Sequence, residues 1–420
     1  MKNSIVEIYI DGQWIPAAEI YILGETVKFE YVPHYAFGDN PLPVSLALPI
    51  SEPFPNLDGQ VPSFLYDLVP QGLGRKYLIE EANRNGLPTS DIALAQIGAF
   101  NPIGNIRIDT AVTFFDQWKK RNVVTMPSGF DKKDIVQRSE EFVSHIWMHA
   151  MLTAGTTGVQ GAAPKFLLTQ DYEGLFHADS ALSDERSLKH WLVKLPRGKT
   201  QIDLDILRIE SIYQKIASLI GLRTFGQCEF IGNMMFFERF DREVDNQNNK
   251  VTRVHQESLL AAAGISGFPS NVSLFTLTNT IIKHATNPVA EAAEFIKREF
   301  LNRALGNTDN HGRNTALQIL SNGIVQLTPL YDCAPMFRDP EMIPRSCRWI
   351  IDGYEINKLS EILNHLDLSD EAKSILHQSI LSFANIFDDL PYLLKEHELE
   401  DEWLNLLVSR INSAKELISG

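Results

Sequence analysis

G-N-T-D-N-H-G-R-N, residues 306–314, is the stretch around which the rest of the sequence is organised. It follows residues 288–305, in which apolar side chains recur at steps of four, the spacing of one buried helical face. Pro288 at the start and Gly306 just past the end are typical helix boundaries. The sequence therefore predicts a helix over 288–305 that leads directly into a polar loop.

The residues after this loop predict a β-hairpin over 315–328, because two apolar runs flank an Asn-Gly pair. With Asn-Gly as a two-residue turn, Asn314 lies opposite Tyr331, and Arg313 lies opposite Asp332. Neighbouring strands are roughly 5 Å apart. The hairpin is therefore expected to bring the polar loop close to the residues that follow its second strand.

Asp309, Asn314 and Asp332 offer two carboxylates and an amide oxygen, which are ligands suited to Mg²⁺. In protein kinases an Asp accepts the proton of the substrate hydroxyl, and an Asn five residues later holds a metal ion. A second Asp, after a hairpin strand, holds the metal ions that bridge the nucleotide phosphates. The alternative is a polar loop that only ends a helix, since Asp, Asn and Gly are common in turns. The hairpin and the second Asp favour the catalytic interpretation.

Composition and charge exclude several classes of protein. The 420 residues suffice for two or three domains, and 44 % apolar with 22 % charged residues is typical of soluble globular proteins. A net charge of -15 disfavours general attraction to nucleic acid or to an anionic membrane. Three cysteines without CxxC spacing argue against a zinc or disulfide framework. No run approaches the roughly 20 apolar residues of a membrane span, so we expect a cytoplasmic protein without membrane contact.

Two further stretches suggest phosphate contacts. Residues 154–165, A-G-T-T-G-V-Q-G-A-A-P-K, form a loop of small residues beside a predicted strand, and such a loop lets backbone N–H groups approach phosphates. It lacks the Walker pattern, and a plain flexible loop is the alternative. Lys194 lies within the apolar strand 190–196, where a charge is costly unless it is paired. Lys194 is therefore either a phosphate-binding lysine or an edge-strand lysine that reaches solvent.

In this order, five motifs resemble the HipA family of bacterial serine/threonine kinases, known from HipA–HipB toxin–antitoxin pairs. They are V-Q-G-A-A-P-K at 159–165, L-V-K-L-P at 192–196, F-E-R-F-D-R at 237–242, G-N-T-D-N-H-G-R-N at 306–314 and L-T-P-L-Y-D at 327–332. Residues 41–49 and 64–70 also resemble the N-terminal subdomain of the family. The likeness covers most of the chain, and its last three motifs together are specific.

The resemblance implies an α+β, protein-kinase-like fold. A HipA-like N-terminal subdomain would span residues 1–115, and the kinase core would span 130–420. Within the core, a mixed, ATP-binding upper lobe with its hinge would cover 130–242, and an all-helical catalytic lobe would cover 243–420.

The resemblance also implies roles for individual residues. Asp309 would be the catalytic base, and Asn314 and Asp332 would bind Mg²⁺. The residues implied to contact ATP are Gln160, Gly161, Ala162, Ala163, Pro164, Lys165, Lys194, Glu238, Arg239, Phe240, His311, Gly312, Arg313, Asn314, Tyr331 and Asp332. The backbones of Glu238 and Phe240 would bind adenine.

The family further implies a protein acceptor, such as an aminoacyl-tRNA synthetase, and a HipB-like DNA-binding antitoxin. Because the chain is acidic, we expect no direct DNA binding by this chain alone. Where HipA carries its autophosphorylated serine, this sequence has Gly158, preceded by Thr156 and Thr157, which are the candidate autophosphorylation sites. The alternatives are a small-molecule phosphotransferase of the same fold and a non-catalytic, nucleotide-binding partner of an antitoxin.

Overall fold

The computed structural model describes residues 2–23, 26–51, 57, 59–121, 129–137, 142, 164–269 and 271–419. The strands are β1 (Lys2–Ile10), β2 (Gln13–Leu23), β3 (Thr26–Tyr31), β4 (Ile106–Ile108), β5 (Lys165–Asp171), β6 (Phe176–Ala178), β7 (Ser187–Lys194), β8 (Cys228–Ile231), β9 (Met234–Glu238), β10 (Arg242–Asp245), β11 (Lys250–Arg253), β12 (His255–Ser258), β13 (Ala316–Ile319), β14 (Val325–Leu327), β15 (Ile350–Ile351) and β16 (Tyr354–Glu355). The helices are α1 (Pro33–Ala36), α2 (Gly72–Arg84), α3 (Asp91–Gly98), α4 (Asp109–Arg121), α5 (Lys132–Gln137), α6 (Gln201–Leu219), α7 (Leu259–Ala262), α8 (Leu274–His284), α9 (Pro288–Leu305), α10 (Leu359–Asn364), α11 (Asp370–Ala384), α12 (Ile386–Glu396) and α13 (Asp401–Ser419).

These elements form two compact units. The first unit consists of residues 1–195 and 231–268, and the second consists of 196–230 and 269–420. The sequence-based division into 1–115 and 130–420 stays a prediction. Across the described residues, no helix has both the length and the apolar character that a membrane span requires.

The first unit begins with an antiparallel sheet in the order β3-β2-β1-β4. Its first hairpin turns at Asp11 and Gly12, whose φ angles of 50° and 85° are the left-handed values of a two-residue turn. Val6 and Ile8 are fully buried on alternate positions of β1, as the period of a half-buried strand requires. Helices α2, α3 and α4 cover this side and complete the core.

A second sheet of the first unit holds the strands β6-β5-β7-β9 in antiparallel order. Trp191 and Val193 on β7 are buried with Phe236 on β9 in one apolar cluster. Lys194, at the end of β7, lies directly across from Lys165 on β5 and Met235 on β9. The predicted strand around Lys194 is therefore present. Lys194 is only 4 % exposed, so it is nearly as well buried as the apolar residues on the other face of the strand.

A buried ion-pair network follows β9. The Arg239 guanidinium donates to Asp179 Oδ2 at 2.9 Å and to both carboxylate oxygens of Asp241 at 2.8 and 2.9 Å. Asp179 also contacts the His190 ring at 3.1 Å. All four side chains are buried, so each charge depends on its partners rather than on water.

Arg242 extends this network to the N-terminal sheet. Its guanidinium donates to Asp241 and to the carbonyl oxygens of Pro102 and Gly104, each carbonyl at 2.9 Å. The Gly104 amide donates in turn to Asp241 Oδ2 at 2.8 Å. The network thus joins the loop after β9 to the loop before β4, which explains why both sheets belong to one compact unit.

Burial and opposite charge act against each other on the pKa of Asp241. Burial alone would raise this pKa, but the charges of Arg239 and Arg242 outweigh it and hold the pKa well below its usual range. Burial lowers the pKa of Arg242 to about 9. Because the pKa of Asp241 is lowered by folding, its stabilising effect is present at neutral pH and is lost as the pH falls through the folded-state value.

The second unit is mainly helical, with two short hairpins, β13–β14 and β15–β16, so the prediction of an all-helical lobe over 243–420 was wrong. Helix α9 has the predicted bounds, Pro288 to Leu305, and it ends at Gly306, whose φ of 69° is left-handed. The Asn287 side chain caps its first turn by accepting from the Ala290 amide at 3.2 Å. A Cβ on Gly306 would lie 2.3 Å from the Phe337 ring, so only glycine fits this exit.

The predicted hairpin is present, but its register was wrong by one residue. Leu317 pairs with Leu327, and the loop has three residues, because the Gly323 amide donates to the Leu320 carbonyl and the Leu320 amide donates to Ile324. Gly323 has a φ of 80°, which is the left-handed third position of such a loop. The sequence alone did not distinguish this turn from a two-residue one, so the predicted pairs Asn314–Tyr331 and Arg313–Asp332 are shifted.

We predict that Asp241→Ala destabilises the protein by about 3–5 kcal/mol, because two buried guanidinium groups lose their shared carboxylate. Urea unfolding followed by circular dichroism measures this change. Glu243→Ala on β10 is the control, because Glu243 is exposed and its removal should leave the unfolding midpoint almost unchanged. Equal unfolding midpoints for both variants would contradict a structural role for the network.

Gly306→Ala and Gly323→Ala separate backbone strain from steric overlap. Both positions have positive φ, which costs an alanine about 1–2 kcal/mol, but only Gly306 faces a ring, while nothing lies within 4 Å of a Cβ at Gly323. We expect Gly306→Ala to cost about 1–3 kcal/mol more in the free energy of unfolding. Similar losses for both variants would show that Phe337 moves aside freely.

Candidate active site

The loop after α9 folds back on itself through short hydrogen bonds. The Asn314 side-chain amide donates to the Asp309 carbonyl oxygen at 2.7 Å, and the Asn314 backbone amide donates to the His311 carbonyl at 2.9 Å. The Asp309 amide donates to Asn307 Oδ1 at 3.3 Å. The five-residue offset between Asp309 and Asn314, noted in the sequence, therefore corresponds to a direct contact.

The side chains of this loop are arranged around Asp309. His311 Nε2 lies 3.6 Å from Asp309 Oδ1, while His311 Nδ1 accepts from the Arg313 amide at 3.3 Å. Because Nδ1 accepts this bond, the ring proton of neutral His311 belongs on Nε2, facing Asp309. About a quarter of the Asp309 side chain, 27 %, is exposed, so a substrate hydroxyl can reach it.

Asp332 meets the loop through the residues beside it. The Asn307 side-chain amide donates to the Asp332 carbonyl at 3.2 Å, and the Tyr331 hydroxyl donates to the Arg313 carbonyl at 3.0 Å. Asp332 has a φ of 53°, in the left-handed region that aspartate tolerates better than most residues. Strained backbone of this kind is often found where a side chain must point in one direction.

An arginine clamp positions the strand that leads to Asp332. Arg223 donates to both Glu291 carboxylate oxygens, at 2.7 and 2.8 Å, and to the Leu327 carbonyl at 2.7 Å. Glu291 accepts from the Leu327 amide, and the Arg223 carbonyl accepts from the Leu330 amide, both at 2.8 Å. Burial would lower the pKa of Arg223, but Glu291 outweighs it and raises this pKa. Sequence reasoning missed this clamp, because glutamates on a helix are usually solvated.

Asn310, the neighbour of Asp309, fixes the other side of the loop. Its side chain donates to the Cys347 carbonyl at 2.9 Å and accepts from the Cys347 amide at 3.2 Å. Asn310 also donates to the buried Glu299 of α9 at 3.3 Å. Sequence reasoning missed Asn310 as well, although its place directly after Asp309 was a usable signal.

Asp309, Asn314 and Asp332 fit the ligand preference of Mg²⁺, which favours oxygen atoms. Because the Asn314 side-chain nitrogen donates to the Asp309 carbonyl, its side-chain oxygen is the atom that could serve a metal ion. Within the described ranges, no three His, Cys, Asp or Glu side chains cluster as a metal site. Asp309, Asn314 and Asp332 offer only oxygen atoms as ligands. They therefore suit a hard cation and do not suit a zinc site of the usual kind.

The phosphate-binding residues predicted in the first unit are described in part. Lys165 and Lys194 are cross-strand neighbours, and the Leu195 amide donates to the Pro164 carbonyl at 2.9 Å. The two lysines therefore form one cross-strand pair where β5 begins and β7 ends. Gln160, Gly161, Ala162 and Ala163, as well as Thr156 and Thr157, lie outside the described residues.

The predicted adenine-binding segment, Glu238 to Phe240, follows β9. Arg239 is held in two ways, since its side chain is buried in the ion-pair network and its amide donates to the His190 carbonyl at 2.8 Å. Glu238 accepts from Lys189 Nζ at 3.1 Å. Arg239 therefore anchors the segment, and the adenine contacts of the Glu238 and Phe240 backbones stay a prediction.

Comparison with known proteins gives three kinds of match. The family model for the HipA-like C-terminal domain matches residues 157–385, more than half of the chain. A curated Sinorhizobium fredii protein named "Putative kinase Y4mE" is 25% identical over 147 residues, which are 32% of this chain and 34% of that protein. The chain thus spans about a third of the length of this relative.

Among solved structures, HipA of Shewanella oneidensis, determined in a complex with HipB and operator DNA, matches 98% of this chain and 95% of its own, with a TM-score of 0.65 and 19% identity. The Helicobacter pylori proinflammatory kinase CtkA matches 55% of this chain and 86% of its own, at 16% identity and a TM-score of 0.37. The first of these shares the overall fold, which confirms the predicted HipA-like α+β architecture. The family model spans the motifs at 237–242, 306–314 and 327–332. The chain therefore belongs to the HipA family.

Proposed function

We propose that this protein is a kinase that transfers the γ-phosphoryl group of ATP, with Mg²⁺, to a serine or threonine of another protein. The observation that carries the proposal is the closed loop in which Asn314 donates to the Asp309 carbonyl while Asn307 links the same loop to Asp332. Asp309 would supply the carboxylate base, and Asn314 and Asp332 would supply two oxygen ligands. These are the groups that phosphoryl transfer uses.

Each residue then has a defined task. Asp309 orients the acceptor hydroxyl and takes its proton, and the Nε2–H of His311 faces Asp309 from 3.6 Å. Asn314 and Asp332 would hold Mg²⁺, which when bound neutralises charge on the transferred phosphoryl group. In the second unit, the hydrogen bond from the Tyr331 hydroxyl to the Arg313 carbonyl supports this arrangement.

Other residues predicted from the sequence would also contact ATP. Lys194 and the 160–165 segment would contact the phosphates, where paired positive charge is favourable. The backbone of Glu238 and Phe240 would hydrogen-bond adenine, while Arg239 keeps this segment fixed.

Membership of the HipA family supports a place in a toxin–antitoxin pair. The acceptor would be a component of translation, such as an aminoacyl-tRNA synthetase, and the partner would be a HipB-like antitoxin. Because this chain carries a net charge of -15, such an antitoxin would have to supply the basic contacts to operator DNA.

We expect Asp309→Asn and Asp332→Asn each to lower phosphotransfer by about 10²–10⁴-fold, since one removes the base and the other a charged ligand. The assay follows labelled γ-phosphate from ATP into proteins of a bacterial lysate. Asp367→Asn is the matched control, because Asp367 is an exposed aspartate of the same unit that has no assigned role. Undiminished labelling by a folded Asp309 or Asp332 variant would refute the assignment. Consumption of ATP without labelled protein would instead indicate a small-molecule acceptor.

We expect autophosphorylation at Thr156 or Thr157, next to the predicted phosphate loop. The added dianion would repel ATP phosphates and lower nucleotide affinity. Peptide mass spectrometry after incubation with ATP measures the modification, and the Asp309→Asn variant shows whether it requires this protein's own activity. Wild-type protein that stays unmodified at both threonines would exclude this form of regulation.

A further inference from the structure

Three arginines of the second unit meet beside the catalytic loop, and we call them the arginine cluster: Arg303, Arg345 and Arg348. Arg303 Nε lies 3.4 Å from Glu299, and Arg303 Nη2 lies 3.9 Å from Glu355. Arg345 pairs with Glu299. Arg348 Nη1 lies 3.4 Å from Glu355. Three guanidinium groups therefore share two carboxylates, which leaves one positive charge in excess.

Some donor nitrogens of these arginines lack a hydrogen-bond acceptor within the part of the chain that the structure describes. Among the described residues, neither Arg303 Nη2 nor Arg345 Nε finds a hydrogen-bond acceptor, although both atoms are shielded from solvent. Burial lowers the pKa of Arg345 to about 10, and it also lowers the pKa of Arg303. A buried guanidinium donor without an acceptor is costly, and an anion bound at the accessible edge of the cluster would offset its excess charge.

The cluster is tied directly to the catalytic loop. Cys347, which lies between Arg345 and Arg348, forms two hydrogen bonds with the side chain of Asn310, the residue next to Asp309. Glu299 contacts Asn310 and also pairs with Arg345. An anion on the cluster would therefore be held by the same hydrogen-bonded framework that fixes the backbone of the catalytic loop.

The surface beside the cluster is suited to a polypeptide. Arg348 is the open side of the cluster, with 45 % of its side chain exposed. The hairpin β15–β16, which carries Glu355, exposes two large apolar side chains, Ile350 at 39 % and Tyr354 at 77 %. An exposed guanidinium beside exposed apolar side chains is complementary to a peptide segment that carries an acidic residue.

We propose that the arginine cluster is the acceptor subsite of this kinase and binds a carboxylate side chain near the phosphorylated serine or threonine. Ile350 and Tyr354 contact the apolar part of the same segment. This proposal rests on the proposed function, because it assumes a protein acceptor, and it adds a preference for acidic flanking sequence.

The test uses two fluorescently labelled, serine-centred peptides of equal length, one with Asp and Glu around the serine and the other with Asn and Gln. Binding to the full chain is measured by fluorescence anisotropy, so that it does not depend on catalysis. We expect wild-type protein and Asp309→Asn to bind the acidic peptide at least about tenfold more tightly than the neutral peptide.

The decisive variant is Arg348→Glu, which should abolish the preference for the acidic peptide, with Arg348→Gln giving a partial loss. Lys358→Glu is the matched control, because it makes the same change of charge at an exposed position of the same segment, outside the cluster. Its preference should equal that of the wild type. In the kinase assay, Arg348→Glu should raise KM for the acidic peptide and leave KM for ATP unchanged.

Equal affinity of the wild type for both peptides, or an intact preference in Arg348→Glu, would overturn the subsite. Loss of preference in both Arg348→Glu and Lys358→Glu would also overturn it, because general charge would then account for binding. A clear preference in binding without phosphate transfer to any peptide would support the subsite and count against the proposed kinase function.

Discussion

Two glutamates buried on one helix hold the loop 306–314 and the strand that leads to Asp332. Glu291 and Glu299 lie on α9, and each pairs with arginine from a distant part of the sequence. Glu291 fixes Arg223 and strand β14, which delivers Asp332. Glu299 fixes Asn310 beside Asp309. A buried carboxylate without its partners is unstable, so these segments have little freedom to move independently of the helix.

The same helix explains what could be predicted from the sequence. Its bounds at Pro288 and Gly306 follow from local rules, and so does the presence of a hairpin after the loop. The register of that hairpin depended on whether Gly323 ended a two- or a three-residue turn, which tertiary packing decides. The two buried glutamates were also beyond sequence reasoning, because a helical glutamate is normally on the solvent side unless a distant arginine pairs with it.

The hinge motif F-E-R-F-D-R shows a related limit. From the sequence, Arg239 of this motif was a candidate for nucleotide contact, and Asp241 and Arg242 had no assigned role. In the structure, Arg239, Asp241 and Arg242 are buried and pair with one another and with Asp179. The charged side chains of the motif therefore stabilise the loop, while its backbone is the part that the proposed function uses. Motif matching identified the segment. The burial of its charged side chains shows that they stabilise the loop, which leaves the backbone for the proposed nucleotide contact.

Charge acts on recognition at two distances in this molecule. The chain as a whole, at -15, repels an acidic acceptor at long range, and salt screens that repulsion over a Debye length of about 8–10 Å. The arginine cluster is proposed to act only on direct contact, where salt screens shielded ion pairs much less. Moderate salt should therefore speed the approach of an acidic acceptor without removing the contact that selects it. A chain of this net charge gains little from electrostatic steering toward an acidic partner, so the proposed acceptor preference rests on the arginine cluster.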